Sequence, residues 1–149
     1  MIFVAIGTTY FDALIRAMDD LSPGLYEEVI MQIGRSQYVP QHCEYFRFAP
    51  SLTPYYELAS LVVSHGGLGI ITEVMELGLP LVVVEDPQQP DRHQREILTE
   101  WEQKGHLIWC KDLENLPQVI AQARAHEFKP YTTPECRIPD IIAEYLNSL

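Results

Sequence analysis

Residues 59–97 read ASLVVSHGGLGIITEVMELGLPLVVVEDPQQPDRHQREI, and the pattern of this stretch indicates the fold class. An apolar run at 61–64 ends at a glycine-rich turn, 65–69, and an amphipathic run then leads to a second apolar run at 81–84. This order predicts strand, turn, helix and strand, which is the βαβ unit of a parallel sheet. Because such sheets bind ligands at the carboxyl ends of their strands, we expect the chemistry to lie beside the glycine turn.

The glycines of this turn would allow an anion to bind. Without side chains, Gly66 and Gly67 let a phosphate approach the N–H groups at the start of the next helix. Glu73 lies two helical turns after Gly66 on the same face, about 10 Å along the axis. A nucleoside diphosphate could therefore place its phosphates at the turn and its ribose hydroxyls on Glu73. From these residues alone, glycines kept for packing and a solvated Glu73 are an equally good interpretation.

The stretch resembles the nucleotide-sugar half of GT-B glycosyltransferases, in particular the C-terminal domain of glycosyltransferase family 28. The resemblance rests on SHGGLGIITEVMELGLPLVVV at 64–84, DRHQ at 91–94, and FVAIGTTYFDALI at 3–15, which is similar to that family's opening strand and turn. It extends over residues 2–109. In size and layout the chain resembles the small catalytic subunits of two-part UDP-sugar transferases, both eukaryotic, in lipid-linked oligosaccharide synthesis, and bacterial, in exopolysaccharide synthesis.

The resemblance implies a Rossmann-like α/β domain of about six parallel strands with helices on both faces. It also implies the donor half of an inverting glycosyltransferase that adds a hexose-type sugar to a lipid-linked acceptor. The acceptor would be bound by a membrane-associated partner subunit, which would recruit this cytoplasmic chain to the membrane and be needed for activity. The residues expected to contact the UDP-sugar are Gly7, Thr8, Thr9, His65, Gly66, Gly67, Leu68, Gly69, Glu73, His93 and Gln94.

Several residues have two interpretations. Thr8 and Thr9 either bind a phosphate or cap the following helix. His65 is expected to hold the turn through backbone hydrogen bonds, with phosphate contact or acid–base work as the alternative. No catalytic residue is assigned, and His65 and His93 are the candidates. Phe48 either stacks on the uracil ring or belongs to the core, and we favour the core.

Two residues depart from the family pattern. Ile70 stands where many relatives carry Ser or Thr, so only backbone N–H groups remain for the diphosphate at that position. Glu85 stands at the end of the second apolar run, where a proline is common. A carboxylate beside the sugar would repel a donor that carries its own carboxylate, which favours a neutral sugar.

Length, charge and apolar content limit the domain count and the kinds of partner. At 149 residues the chain fits one domain, 1–149, with an amphipathic helix expected at 140–149 that docks on its own sheet or on the partner. The net charge of -11 argues against nucleic acid or an anionic membrane surface as a partner. The longest apolar runs are too short for a membrane span, and no basic leader precedes residue 2, so we expect no membrane insertion.

We predict no metal and no cofactor, the UDP-sugar being a substrate. The 3 cysteines and 5 histidines show no ligand spacing. Asp19 and Asp20 are expected inside a helix, away from the glycine turns, so they do not form a metal-binding acidic motif. Helix dipoles would then stabilise the leaving diphosphate. Two alternatives to a transferase stay open: a non-catalytic nucleotide-sugar-binding regulatory module, and an NTP- or NAD-dependent enzyme.

Overall fold

The structure, a computed structural model, describes residues 1–86 and 92–131, with the side chains of residues 92 and 93 excepted. The six described strands are β1 (Ile2–Ala5), β2 (Val29–Gln32), β3 (Glu44–Phe46), β4 (Leu61–His65), β5 (Leu81–Val84) and β6 (Ile108–Cys110). The helices are α1 (Asp12–Leu21), α2 (Thr53–Leu58), α3 (Leu68–Glu76), α4 (Arg92–Gln103) and α5 (Leu116–Ala125). Short 3-10 turns occupy Ser22–Gly24 and Leu113–Asn115.

The strands form one sheet in the order β3-β2-β1-β4-β5-β6, and every neighbouring pair is parallel. The predicted Rossmann-like fold is therefore confirmed. Central β1 is buried along its whole length because helices cover both faces, which explains its uninterrupted apolar sequence. Its last residue, Ala5, pairs with Gln32 on one side and Ser64 on the other. This register brings the turns after β1, β2 and β4 together at the carboxyl edge.

Each face of the sheet has its own hydrophobic core. On one face α1 and α5 cover the sheet, with Phe11, Leu14 and Ile15 of the α1 region and Ile120 of α5 buried. On the other face the apolar residues of α2, α3 and α4 pack on Phe3, Val62 and Val83. The helices divide between the two faces because all crossovers have the same handedness. Connections to strands on one side of β1 therefore lie on one face of the sheet, and connections to strands on the other side lie on the opposite face.

The boundaries of the elements differ little from those that the sequence predicts. The helical spacing of apolar residues after the first turn predicts a helix over 10–21. Helix α1 begins two residues later, at Asp12, since Phe11 is the N-cap and is buried against the sheet. The apolar run at 107–109 predicts the sixth strand, and β6 covers Ile108–Cys110, one residue later. The amphipathic helix expected at 140–149 lies outside the described residues.

Asp19 has a structural role that the sequence does not reveal. It lies inside α1, as expected, and is fully buried. Its carboxylate accepts hydrogen bonds from the Tyr38 hydroxyl at 2.7 Å and from the backbone N–H groups of Gln41 and His42 at 2.9 and 2.8 Å. Burial acts to raise the pKa of Asp19, but these hydrogen bonds prevail and lower it. Asp19 thus fastens the segment between β2 and β3 onto α1.

Candidate functional site

The two glycine turns of the sequence lie against each other. Gly7 follows β1 with φ of +69°, a conformation that glycine adopts without strain. A Cβ atom at Gly7 would lie 3.2 Å from Cδ1 of Ile70 and 3.9 Å from Nε2 of His65. The first turn therefore touches both the end of β4 and the start of α3, and a ligand at one turn is within reach of the other.

Gln32, at the carboxyl end of β2, holds the Gly7 turn in place. Its side-chain oxygen accepts hydrogen bonds from the N–H groups of Ile6 at 3.0 Å and Gly7 at 2.7 Å. Its amide nitrogen donates to the carbonyls of Gly7 and Arg47, both at 2.7 Å. The N–H of Gly7 is therefore occupied and is not available to a phosphate. Sequence reasoning assigned Gln32 no such role, although a polar residue among apolar strand neighbours is a usable signal.

The helix-capping alternative for Thr8 and Thr9 is wrong. The N-cap of α1 is Phe11, and no side chain caps this helix. The N–H of Phe11 instead donates to the hydroxyl of buried Ser36 at 3.0 Å. Thr8 is exposed and Thr9 half-buried, and both lie at the carboxyl edge of β1 beside the start of α3.

His65 holds the second turn, which is the role that we favoured for it. Its Nδ1 atom accepts the N–H of Gly67 at 3.0 Å. The ring leaves no room for a side chain at Gly67, where a Cβ would lie 2.4 Å from Cε1. Burial lowers the pKa of His65 in spite of the opposing effects of the Ile6 carbonyl and Asp86. The imidazole is therefore neutral near pH 7, and its Nδ1 is already occupied.

Helix α3 offers its N-terminus to a ligand. Gly67 is the N-cap, and no side chain caps the helix. Because the N–H of Gly67 is bound to His65, the groups left for an anion begin at Leu68 and Gly69, which have no acceptor within the helix. A Cβ at Gly69 would meet no atom within 4 Å in the part of the chain described, so no steric reason for glycine exists there.

Helix α4 brings Gln94 to the same place. A Cβ at Gly66 would lie 3.0 Å from Oε1 of Gln94, so this side chain sits directly over the glycine turn. His93 lies in the first turn of α4, but its side chain is outside the described part. Glu85, the departure from the family pattern, forms an ion pair with Arg95 at 2.5 Å. This pairing weakens the argument that Glu85 repels an acidic donor sugar.

Glu73 is exposed on α3, two turns beyond the N-terminus of the helix. Its carboxylate is near Tyr56 of α2, whose ring is buried among residues of α3. Burial raises the pKa of Tyr56, and the charge of Glu73 raises it further. The Tyr56 hydroxyl nevertheless has no hydrogen-bond partner among the described residues, so Glu73 acts on it through charge and is not in hydrogen-bond geometry. The carboxylate of Glu73 is thus open to solvent and to a ligand.

Phe48 contradicts our expectation that it belongs to the core. It follows β3 and is 56% exposed, whereas Phe46, two residues earlier, stacks on Tyr55 with ring centroids 4.5 Å apart. The core position at the end of β3 is therefore filled by Phe46. Phe48 presents an open aromatic face at the carboxyl edge of the sheet.

A cavity of about 630 Å³ lies elsewhere, between α1 and the 3-10 turn at Leu113–Asn115. Four carboxylate residues and a single arginine are among its lining residues, so it is unsuited to a diphosphate. The glycine turns are the better candidate because the first N–H groups of α3 lie there and the exposed Glu73 follows two turns along the same helix. The charged residues that line the cavity are Asp12, Arg16, Asp20, Asp86 and Glu114.

Comparison with known proteins decides the family. The model of the glycosyltransferase family 28 C-terminal domain matches residues 1–145. The chain belongs to this family. The resemblance seen in the glycine turns is confirmed, and the matched range includes every residue expected at the site.

Curated relatives within this family include UDP-N-acetylglucosamine transferase subunit ALG13. The human protein is 38% identical over 123 residues, which cover 73% of this chain and 11% of the human protein. The protein of Yarrowia lipolytica is 28% identical over 144 residues, which cover 87% of this chain and 74% of that protein. The chain therefore spans about a tenth of the length of its human relative and about three quarters of its yeast relative.

Solved structures support the fold. The NMR structure of ALG13 superposes with a TM-score of 0.64 at 18% identity and covers 89% of both chains. The crystal structure of Acinetobacter baumannii MurG superposes with a TM-score of 0.58 at 21% identity and covers 81% of this chain and 40% of that one. At these identities the likeness speaks for the fold alone.

Two further observations concern metals and membranes. Within residues 1–86 and 92–131, no three His, Cys, Asp or Glu side chains are grouped so that they could hold a metal ion. None of the helices in that same part combines the length and the apolar character that a membrane span requires.

Proposed function

We propose that this family 28 domain binds a UDP-sugar and forms the donor half of an inverting glycosyltransferase. The observation that carries the proposal is the contact between the Gly7 turn and the uncapped N-terminus of α3, with exposed Glu73 two turns further along. UDP-N-acetylglucosamine is the first candidate donor, because the curated relatives are named as subunits of a transferase for that sugar.

The diphosphate would lie at the start of α3. The N–H groups of Leu68 and Gly69 and the helix dipole favour negative charge there. The exposed hydroxyl of Thr8, in the neighbouring turn, supplies a further donor. Because Gly7 and Gly67 use their own N–H groups internally, their part is to fix the two turns at close range.

The nucleoside would extend along α3 from the diphosphate. Glu73 accepts hydrogen bonds from the ribose hydroxyls, as acidic residues do in other nucleotide folds. Phe48 offers its exposed ring for stacking on uracil, in place of the core role first expected.

The sugar would extend from the diphosphate toward α4. Gln94 lies over Gly66 and can hydrogen-bond the hydroxyls of the sugar. His93, in the first turn of the same helix, would also contribute on the sugar side. Glu85, which is paired with Arg95, borders this region.

In the proposed reaction an acceptor hydroxyl attacks the anomeric carbon from the side opposite to UDP. The bond between that carbon and the diphosphate oxygen breaks, and the configuration inverts. The N-terminus of α3 stabilises the negative charge that develops on the diphosphate. His65 would hold the turn and not act as the general base. Its Nδ1 accepts the N–H of Gly67, and in a neutral ring the other nitrogen carries the hydrogen and has no free lone pair to take a proton. The base that takes the acceptor proton would come from the partner subunit.

A partner subunit completes the proposed enzyme. One open sheet edge cannot exclude water and orient an acceptor in line with the anomeric carbon. We propose that the partner is membrane-associated, binds a lipid-linked acceptor and recruits this chain to the cytoplasmic face of a membrane. The chain's net charge of -11 favours recruitment by protein contact over direct binding to anionic lipid or nucleic acid.

Calorimetric titration with UDP, ADP and NAD tests the nucleotide part of the proposal. We expect UDP to bind more tightly than either adenine ligand, and a preference for ADP or NAD would contradict the nucleotide part.

Transfer from UDP-N-acetylglucosamine to a lipid-linked acceptor tests the proposed reaction and the need for a partner. We expect little transfer by this chain alone, and strong transfer without a partner would refute the proposal that this chain is only the donor half of the enzyme.

A further inference from the structure

Arg35 lies directly beside the first glycine turn, residues 7–9. It follows β2 and Gly34, whose φ is +53°. A Cβ atom at Gly34 would lie 2.5 Å from the carbonyl oxygens of both Gly7 and Thr9, so only glycine fits there. The N–H of Arg35 donates to the same Thr9 carbonyl at 2.9 Å. The backbone of Arg35 is therefore fastened to the first turn.

This attachment also places Arg35 close to α3. The Gly7 turn touches Ile70 in the first turn of α3, at 3.2 Å from the position of a Gly7 Cβ. The first turn thus contacts both the Arg35 backbone and the helix N-terminus at which the diphosphate is proposed to bind. An arginine side chain is long enough to reach across this turn, and its guanidinium matches phosphate oxygens in bidentate geometry.

The site needs a cation because the helix N-terminus supplies only about half a positive charge. Other arginines of the edge are engaged: Arg47 donates to the carbonyls of Gly34 and Ser36 at 3.1 and 2.8 Å, and Arg95 pairs with Glu85. Arg35 is exposed, and its side chain makes no hydrogen bond or ion pair with any other residue in the described ranges.

The carboxylate at the start of α1 does not neutralise Arg35. Asp12 turns toward the segment after Arg35 and accepts the N–H groups of Gln37 and Tyr38 at 2.7 and 2.6 Å. Its oxygen is thus held by the backbone, which leaves the guanidinium of Arg35 available to a ligand.

We propose that Arg35 is a substrate-binding residue that contacts the diphosphate of the donor. This inference rests on the proposed function and adds to it the cation of the diphosphate site. In the reaction, Arg35 would stabilise the charge that develops on the diphosphate as the sugar leaves.

The test compares Arg35→Gln with Arg16→Gln, a matched control at an exposed arginine of α1. Titration at low salt with UDP and with uridine separates the diphosphate from the nucleoside. We expect Arg35→Gln to weaken UDP binding on the order of 10- to 100-fold, the effect of a lost hydrogen bond between charged groups. Uridine binding should not change, and Arg16→Gln should behave as wild type with both ligands.

Two further titrations distinguish the remaining outcomes: Arg35→Lys with UDP, and wild type and Arg35→Gln with inorganic pyrophosphate. Lysine keeps the charge without the bidentate fork, so we expect it to recover part of the lost UDP affinity. Equal UDP affinity in wild type and Arg35→Gln refutes the role of Arg35 and leaves the proposed function standing. If wild type binds pyrophosphate in an Arg35-dependent manner but does not bind UDP, the anion site stands and the proposed function fails. If wild type binds neither UDP nor pyrophosphate, both the role of Arg35 and the proposed function are wrong.

Discussion

Replacement of Gln32 with methionine tests how the first turn is held. The change keeps the length of the side chain and removes four hydrogen bonds, to Ile6, to Arg47 and, twice, to Gly7. The N–H of Ile6 is fully buried and would be left without an acceptor, at a cost of about 1–3 kcal/mol. Gly7 is half-buried and Arg47 exposed, so water can replace part of the remaining bonds. We expect a total loss of about 2–4 kcal/mol in the free energy of unfolding.

Urea unfolding of wild type, Gln32→Met and Gln118→Met measures this loss. Gln118 is exposed on α5 and serves as the control, with an expected change of less than about 0.5 kcal/mol. UDP affinity should fall in Gln32→Met under native conditions, because the Gly7 turn loses its anchor. If the two variants were equally stable, within about 0.5 kcal/mol, the four hydrogen bonds would not hold the turn and our account of it would be wrong.

Three further predictions concern Gln94, Tyr56 and His65. Gln94→Ala should lower UDP-sugar affinity or turnover and leave UDP affinity nearly intact, and loss of UDP binding as well would show that Gln94 is structural. Tyr56→Phe removes a buried hydroxyl without a described partner, so stability should stay equal or rise by up to about 1 kcal/mol, and a clear loss in urea unfolding would contradict this. Because the folded-state pKa of His65 lies below its unfolded value of about 6.5, its stabilising effect is complete above that pH and is lost as pH falls toward the folded pKa. His65→Asn should therefore flatten the fall in stability below about pH 6.5, and an unchanged pH profile would refute it.

The fold could be predicted from the sequence because its signals are local. Apolar runs at 2–6 and 61–64 with short glycine turns mark strands that are buried on both faces, and the helical spacing of Phe11, Leu14 and Ile15 marks the face of α1. The start of α1 was missed by two residues because nothing local shows that Phe11 turns inward as the N-cap.

The placement of the site was predictable only in part. The βαβ pattern located Gly66 and Gly67 at the carboxyl edge and Glu73 two turns along α3, and Gln94 was expected to face that edge from the first turn of its helix. The contacts of Gln32 were not predictable, because its partners are up to 26 residues away in the chain. Phe48 was misplaced because an aromatic residue after a strand suits the core and solvent equally until its neighbour Phe46 is seen to fill the core.

Calorimetric titration of wild type and Glu73→Ala with UDP shows whether α3 binds a uridine nucleotide. Glu73 is exposed and alanine is a better helix former, so the variant should be at least as stable as wild type in thermal unfolding. We predict that wild type binds UDP and that Glu73→Ala binds it more weakly by about 1.5–3 kcal/mol, the value for hydrogen bonds to a charged group. Equal affinity of the two proteins for UDP, or no binding by wild type, would contradict the claim that α3 of this domain binds a uridine nucleotide.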